Sequence, residues 1–242
     1  MTVPEYRELA QKAAMRVGPA FLKAYVIYAA FSALLLFFSL QMQQRVMVWQ
    51  DTVRQFFLAG NPDLPALTPE IMCYFALALL LLLLAQVLRA GWFVIVLRAV
   101  RGSSYSWRDL PSRFSGILKI LVMSFVVEIG CIVGFFLFVA PGVMLFYRWR
   151  LCWFVFAEHP DYGPIRCLRQ SARLMVGEKM NLFRLDLTLL LPYAISGIVY
   201  YFTYGIVCLW ELPSISITHC VFYNVMTHWS ESASVVEADP ER

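Results

Sequence analysis

Long apolar runs, separated by short polar stretches, dominate the pattern along the chain. Residues 71–85 read IMCYFALALLLLLLA and contain no charged or amide side chain. A helix that crosses a bilayer needs about 20 largely apolar residues. One such run could belong to the core of a large soluble protein, but several of them in 242 residues predict a membrane protein.

The apolar pattern predicts an all-α, polytopic integral membrane protein with six transmembrane helices. Their domain covers residues 19–228, and short amphipathic helices on the cytoplasmic side accompany it. The spans are placed at about 20–40, 70–97, 117–139, 142–157, 184–209 and 214–228.

Proline and glycine indicate how the spans are connected. Residues 41–69 are predicted to form a loop, the Pro-Gly pair at 141–142 a tight turn, and Pro213 a break before the last span. Near the end of the second span, Arg89 and Trp92 are expected at the level of the membrane interface, where such side chains are enriched.

The polar ends of the chain are predicted to lie outside the membrane. Residues 1–18 predict an amphipathic cytoplasmic helix, because Thr2 and Glu5 have the spacing of a capping box and Gly18 can end a helix. Residues 229–242 are acidic and are predicted to form a disordered tail.

Composition agrees with a membrane solvent and argues against several kinds of site. The chain is 60% apolar and 15% charged, whereas soluble proteins average about 25% charged residues. Its first eighteen residues are too charged for the apolar part of a cleavable signal. Six cysteines without a CxxC pair and three histidines without metal-ligand spacing lead us to expect no disulfide, metal or cofactor.

The basic residues predict the orientation of the chain. Outside the predicted spans, thirteen arginines and lysines fall on one side and two on the other. The larger group is Arg7, Lys12, Arg16, Arg98, Arg101, Arg108, Arg113, Arg166, Arg169, Arg173, Lys179, Arg184 and Arg242, and the smaller is Arg45 and Arg54. Because short basic loops stay cytoplasmic, both termini are predicted to lie inside.

Three charged residues fall within the predicted third and fourth spans: Glu128, Arg148 and Arg150. A charge at mid-bilayer costs about 2.5–3.5 kcal/mol on insertion scales, so it normally faces the protein interior or a partner. The predicted turn makes these spans antiparallel neighbours, and we therefore expect Glu128 to pair with Arg150. The pair either fixes the register of the two helices, which we favour, or lines a polar cavity with Arg148 for a ligand, an ion or a lipid headgroup.

Residues 164–176, PIRCLRQSARLMV, predict a basic amphipathic helix. Arg166, Arg169 and Arg173 recur on one face, and with Lys179 they are candidate contacts for anionic lipid of the inner leaflet. The alternative is that these charges only follow the positive-inside rule. No nucleic-acid-binding fold surrounds them, so nucleic acid is not an expected partner.

Several short segments together resemble one bacterial protein family. They are PGVMLFYRW, AEHP, SARLMVGEKMNLFRLDLTLL, GIVCLWELP and the later FY pair. The family is a group of integral membrane proteins known only as domain of unknown function nine-seven-five, which is distantly similar to the membrane domain of some glycerophosphodiester phosphodiesterases. The matching residues are Pro141, Gly142, Arg148, Ala157, Glu158, Pro160, Ser171, Leu174, Met175, Gly177, Lys179, Leu182, Phe183, Gly205, Ile206, Leu209, Trp210, Pro213, Phe222 and Tyr223.

The resemblance implies a six-helix protein of the bacterial cytoplasmic (inner) membrane without an assigned activity, and it transfers no catalytic residue. The chain departs from the family pattern in three places. Trp149 and Arg150 replace Tyr-Ser, LLLP with Pro192 replaces Phe-Ile-Gly-Trp, and Ser214 replaces Tyr. Any interaction made by Arg150 is therefore peculiar to this chain.

The sequence lacks the motifs of hydrolases, metalloproteases and phosphate-binding enzymes. Asp186 lies near Arg184 and is expected to neutralise it rather than to do chemistry. We therefore expect a non-enzymatic protein that contacts membrane lipids or binds a partner, including a second copy of itself, as an accessory of the cell envelope. The alternative is a small transporter or channel whose polar path is lined by Glu128, Arg148 and Arg150.

Overall fold

The computed structural model describes residues 2–58, 69–189 and 208–237. Within these ranges all regular secondary structure is helical, which confirms the predicted all-α class. The helices are α1 (Val3–Arg16), α2 (Pro19–Leu58), α3 (Pro69–Val100), α4 (Ile117–Leu137), α5 (Val139–Trp149), α6 (Cys152–Glu158), α7 (Pro164–Leu174), α8 (Lys179–Thr188) and α9 (Cys208–Glu237), with a 3-10 segment (Trp107–Gly116) before α4.

Three helical segments of the described ranges are long and apolar enough to cross a membrane. They cover Pro19–Gln55, Pro69–Val100 and Trp107–Leu137. Large apolar side chains on α4 remain exposed, among them Phe125, at 65%, and Ile132, also at 65%. An exposed apolar surface of this kind fits a hydrocarbon solvent, and the three segments indicate a membrane protein.

Helix α2 corrects the prediction that residues 41–69 form a loop. It runs without interruption from Pro19 to Leu58, and only residues 59–68 of the predicted loop lie outside the described ranges. The sequence contains neither glycine nor proline between Pro19 and Gly60. Residues 41–58 mix polar and apolar side chains and contain no helix breaker, so the helix continues where the continuous apolar run ends.

The turn between the third and fourth predicted spans is displaced from 141–142. Helix α4 ends at Leu137, and Phe138 adopts an extended conformation, with φ −164° and ψ 151°. Pro141 then lies in the first turn of α5. A proline is accommodated there, because the first four N–H groups of a helix have no intrahelical acceptor.

The fourth predicted span, 142–157, is broken into α5 and α6. At the break, the N–H of Arg150 donates to the carbonyl of Tyr147 (3.4 Å) and the N–H of Phe154 to that of Leu151 (3.1 Å). These bonds span three residues instead of four, which interrupts the α-helical ladder.

The last two predicted spans differ from the structure in their boundaries. Helix α8 ends at Thr188, and most of the predicted span 184–209, with Pro192, falls outside the described residues. Helix α9 includes Pro213 instead of starting after it, although this proline has no N–H to donate to the carbonyl four residues earlier. The same helix reaches Glu237, so much of the predicted disordered tail is helical.

Helix α3 lies at the centre of the packing. The ring of Trp92 lies 4.9 Å from that of Phe21 and 5.4 Å from that of Tyr25, and it stacks on Tyr28 at 5.7 Å. Its indole N–H donates to the hydroxyl of Ser216 on α9 (3.2 Å). One tryptophan therefore joins α2, α3 and α9, and buried aromatic pairs of this kind add to the stability given by their area alone.

A glycine allows the 3-10 segment to pack against α3. A Cβ atom on Gly91 would lie 1.9 Å from the carbonyl oxygen of Leu110. This oxygen belongs to the backbone and cannot rotate away from an added methyl group.

We expect Gly91→Ala to lower the free energy of unfolding by at least about 1–3 kcal/mol, the usual cost of an overpacked interior. Gly163→Ala is the matched control, because a Cβ there would meet nothing within 4 Å. The melting temperatures of both variants, measured in the same mild detergent, check this expectation. Equal melting temperatures would show that the contact between Gly91 and Leu110 does not constrain the fold.

Candidate functional site

The structure does not bring Glu128 and Arg150 together. Glu128 is exposed on α4, and among the described residues it takes part in none of the salt bridges. Helix α4 packs on α5 through Gly130, whose Cβ position would lie 2.4 Å from the ring of Trp149. Because each residue turns a helix by about 100°, Glu128 points about 160° away from Gly130. The predicted pair is therefore not formed.

The two arginines of the broken fourth segment have different surroundings. Arg148 is exposed, and its backbone carbonyl accepts a hydrogen bond from the hydroxyl of Ser171 on α7 (3.0 Å). Arg150 is half-buried, with its guanidinium 4.8 Å from the centre of the Phe146 ring. Of the three candidates for a polar path, only Arg150 faces the space between the helices.

A cavity of about 490 Å³ lies beside Arg150. Its walls come from α2, α3, α4, α5, α6 and α9. Arg89, Arg150 and His219 contribute titratable side chains, and Trp149 and Trp153 form part of an aromatic wall. This volume lies within the range of about 300–1,000 Å³ that is typical of small-molecule sites.

Arg89 also lines this cavity, and its expected position at the membrane interface stays a prediction. It lies nine residues before Arg98, about 14 Å along α3, and Arg98 pairs with Asp109 at the end of the helix (3.2 Å). The guanidinium of Arg89 lies 4.9 Å from the ring centre of Trp153. In the described parts of the chain it joins no salt bridge with a carboxylate.

A second polar group stands at the edge of the cavity. His219 of α9 and Asp186 of α8 are buried against each other, with Nε2 and Oδ1 2.7 Å apart. Tyr147 also hydrogen-bonds to this carboxylate, and Arg150 interacts with it electrostatically. The expectation that Asp186 neutralises Arg184 is thus not met, because a separation of two residues places the two side chains about 160° apart around α8.

Helix α7 confirms the predicted amphipathic helix and shows which face is free. Its inner face is buried through Cys167, Leu168 and Ser171. On the opposite side the chain exposes the predicted lipid contacts Arg166, Arg169 and Arg173, whereas Lys179 at the start of α8 is half-buried. Arg166 also lies over the ring of Tyr162, 3.8 Å from its centre.

Glu158, the last residue of α6, connects the C-terminal end of α3 to the middle of α9. It forms a salt bridge with Arg101, with Nη1 and Oε1 2.7 Å apart, and accepts a hydrogen bond from the hydroxyl of Tyr223. Arg101 in turn donates to the side-chain oxygen of Asn224 (3.0 Å). Burial opposes ionisation of Glu158, but the hydrogen bonds from Arg101 and Tyr223 outweigh it and hold its pKa below the ordinary 4.5.

Two further cations hold the turn that follows α6. Arg113 donates to the carbonyl of Ala157 (2.8 Å) and Lys119 to the carbonyl of Pro160 (3.3 Å). The last carbonyls of a helix have no intrahelical donor and carry the negative end of its dipole. The AEHP segment is therefore fixed by its charges and its backbone together.

Arg89 and His219 are site residues that the sequence pattern did not predict, although a signal was present. An ionisable side chain within a membrane span usually marks a partner or a functional site. Both residues fall inside predicted spans, and so does Asp186. What the pattern could not supply was the rotation of each helix, which decides which of these residues face one another.

Comparison with known proteins yields a family without an activity. A family model described as "Protein of unknown function (DUF975)" matches residues 21–230, which is most of the chain. Neither a curated protein nor a solved structure matches. The similarity to glycerophosphodiester phosphodiesterases stays a prediction.

The contacts of Glu158 predict a pH-dependent contribution to stability. A carboxylate whose pKa is lower in the folded protein stabilises it above the unfolded-state pKa and loses this effect as the pH falls through the folded-state pKa. We expect Glu158→Gln to lower the melting temperature at pH 7 by about 3–10 °C, the effect of losing a charge-assisted hydrogen bond. The difference in melting temperature between this variant and the original chain should shrink only below about pH 4.5, the ordinary pKa of a glutamate.

Melting curves at a series of pH values in one detergent measure this difference. Asp51→Asn removes an exposed carboxylate that joins no salt bridge of the described residues, and it should leave the curve unchanged. A constant difference between the Glu158 variant and the original chain down to pH 3 would contradict the assignment.

Proposed function

The chain belongs to the DUF975 family of proteins of unknown function, and on this premise we propose that it is a non-enzymatic membrane protein that contacts anionic lipid through its basic cytoplasmic face. We name as the basic face the exposed side chains of Ile165, Arg166, Arg169, Arg173 and Val176. In this proposal the protein is an accessory of the cell envelope that acts at the inner leaflet.

The proposed topology has six crossings of the bacterial inner membrane. Three are the long apolar segments. Residues 139–157 supply a fourth, because their 19 positions would cover about 28 Å even though a break divides them. The remaining two are the predicted spans 184–209 and 214–228.

Contacts at one end of the molecule support termini on the same side. Tyr6 of α1 packs on Phe222 of α9, with ring centres 5.3 Å apart. Arg101, which follows α3, bonds to Glu158 and to Asn224. This end also carries most of the basic residues, so the positive-inside rule would place it in the cytoplasm.

The observation that carries the lipid proposal is the composition of the basic face. Ile165 is 67% exposed and Val176 74% exposed, beside three exposed arginines. A free apolar side chain among cations is unfavourable in water. It is favourable where arginines reach anionic headgroups and the apolar side chains enter the boundary of the acyl region.

The charge balance agrees with this role. Residues 164–184 contain five basic side chains, Arg166, Arg169, Arg173, Lys179 and Arg184, against one acidic side chain, Glu178. Glu178 accepts a hydrogen bond from Asn181 (2.7 Å), so it is engaged on its own helix. Each basic residue near an anionic surface contributes about 1 kcal/mol of attraction.

Transport is the second candidate function. The break between α5 and α6 beside the cavity favours it, because transporters build their sites from interrupted helices. Glu128 and Arg148, however, lie on the outside of α4 and α5, so the proposed path keeps only Arg150 of the three predicted residues.

The topology predicts the activity of fused reporters. A reporter that works only in the cytoplasm should be active when fused after Arg242, and one that works only outside should be inactive there. Paired fusions within residues 59–68 should give the opposite result. Activity of the external reporter at the C-terminus would overturn the orientation.

The basic face predicts a preference among lipids. The triple variant Arg166→Ala, Arg169→Ala and Arg173→Ala should lose preference for phosphatidylglycerol over phosphatidylcholine, by about fivefold for each arginine. Native mass spectrometry of the full-length protein, released from detergent with equal amounts of the two lipids, measures this preference.

The matched control keeps the three positive charges but replaces each guanidinium group with an ammonium group. The triple lysine variant at the same three positions should retain the preference, because attraction to a leaflet depends on charge more than on guanidinium geometry. If the alanine variant bound phosphatidylglycerol as the original chain does, the basic face would not be a lipid contact.

A further inference from the structure

Among the side chains that the structure describes, the cavity beside Arg150 carries an excess of positive charge. Arg89 and Arg150 both line it, and the nearby carboxylate within this described set is that of Asp186, which His219 and Tyr147 engage. In this part of the chain, two guanidinium groups thus face one carboxylate. Within the described residues, the contact that stabilises the charge of Arg89 is the face of the Trp153 ring. A cation in membrane surroundings is costly, so this arrangement favours an anion between the two arginines.

The smaller polar groups of the walls already have protein partners. The hydroxyl of Ser32 donates to the carbonyl of Tyr28 (3.0 Å), and that of Ser216 accepts from the indole of Trp92 (3.2 Å). The side-chain oxygen of Gln86 accepts from Ser124 (2.9 Å). The arginines therefore dominate what the cavity can offer to a charged ligand.

The remaining walls suit an apolar body. Trp92, Trp149 and Trp153 line the cavity together with Phe93 and Phe146. Ligand sites commonly combine an apolar lining of this kind with a few polar groups that fix orientation. Arginine binds phosphate oxygens through two parallel hydrogen bonds, which makes a phosphate group the best match for the pair.

We infer that the cavity is a binding site for a phosphate-bearing anion within the membrane domain, held by Arg89 and Arg150. The aromatic walls would accommodate the apolar part of a lipid that carries this phosphate. The site is separate from the basic face of α7, and it does not depend on that face binding lipid.

Titration of the full-length protein in an uncharged detergent tests the inference. Three of its seven tryptophans line the cavity, so tryptophan emission reports occupancy. The probes are inorganic phosphate, dihexanoyl phosphatidic acid and dihexanoylglycerol; the last two differ only in the phosphate. We expect a saturable change with phosphatidic acid and none with dihexanoylglycerol.

Variants test whether the change in tryptophan emission depends on Arg89 and Arg150. Arg89→Gln and Arg150→Gln should each raise the dissociation constant for phosphatidic acid by about tenfold or more, because a charge-assisted pair is lost. Arg148→Gln is the matched control, since Arg148 is exposed and does not line the cavity. Arg89→Lys, which keeps the charge, should bind with intermediate affinity, and it carries the test if Arg89→Gln does not fold.

The outcomes separate the possible sources of the phosphate. Saturable binding of inorganic phosphate that depends on Arg89 supports the site with a free anion as ligand, and binding of phosphatidic acid alone supports it with a lipid. The inference is overturned if neither binds saturably, if dihexanoylglycerol binds as tightly as phosphatidic acid, or if the glutamine variants at 89 and 148 bind equally. The triple alanine variant of the basic face should bind phosphatidic acid normally, which distinguishes failure here from failure of the proposed function.

Discussion

The cost of placing a positive charge where water is scarce governs the arrangement of this protein. Two half-buried arginines, Arg150 and Arg89, and one at an exposed helix end, Arg101, meet that cost in three ways. Arg101 forms a salt bridge with Glu158. Arg150 interacts electrostatically with the carboxylate of Asp186, which also bonds to His219, and Arg89 lies over the ring of Trp153. The first gives a fixed ionic contact, whereas the last leaves a guanidinium able to take an anion. The fold and its candidate site thus follow from one energetic constraint.

The break in the fourth segment shows the same constraint acting on the backbone. A helix that ends at Trp149 leaves carbonyl groups without donors, and such groups are tolerated at membrane depth only when protein supplies partners. Ser171 donates to the carbonyl of Arg148, Arg113 to that of Ala157 in the last turn of α6, and Lys119 to that of Pro160 after the helix. These side chains therefore satisfy backbone carbonyls on both sides of the break.

The sequence predicted where the helices begin and end better than it predicted which face of each helix packs against its neighbours. The bounds of α1, α3, α4 and α7 follow closely from caps, breakers and apolar runs, and two residues of the family-like motifs, Glu158 and Tyr223, meet in the structure. The expected pair of Glu128 with Arg150 failed because depth in a membrane can be counted along a helix, but its rotation cannot. That rotation is set by close contacts such as Gly130 on Trp149, which depend on tertiary packing.

Helix α2 reaches well beyond what a bilayer requires. Its 40 residues extend for about 60 Å, twice the hydrocarbon thickness of about 30 Å. The second half is rich in glutamine and carries Arg45, which bonds to Glu70 at the start of α3 (2.7 Å) and lies over Tyr74. The salt bridge places Arg45 beside the first turn of α3, and α2 continues for another 13 residues, about 20 Å, beyond that point. In the described residues this end of α2 therefore extends past the start of α3, the helix that braces it.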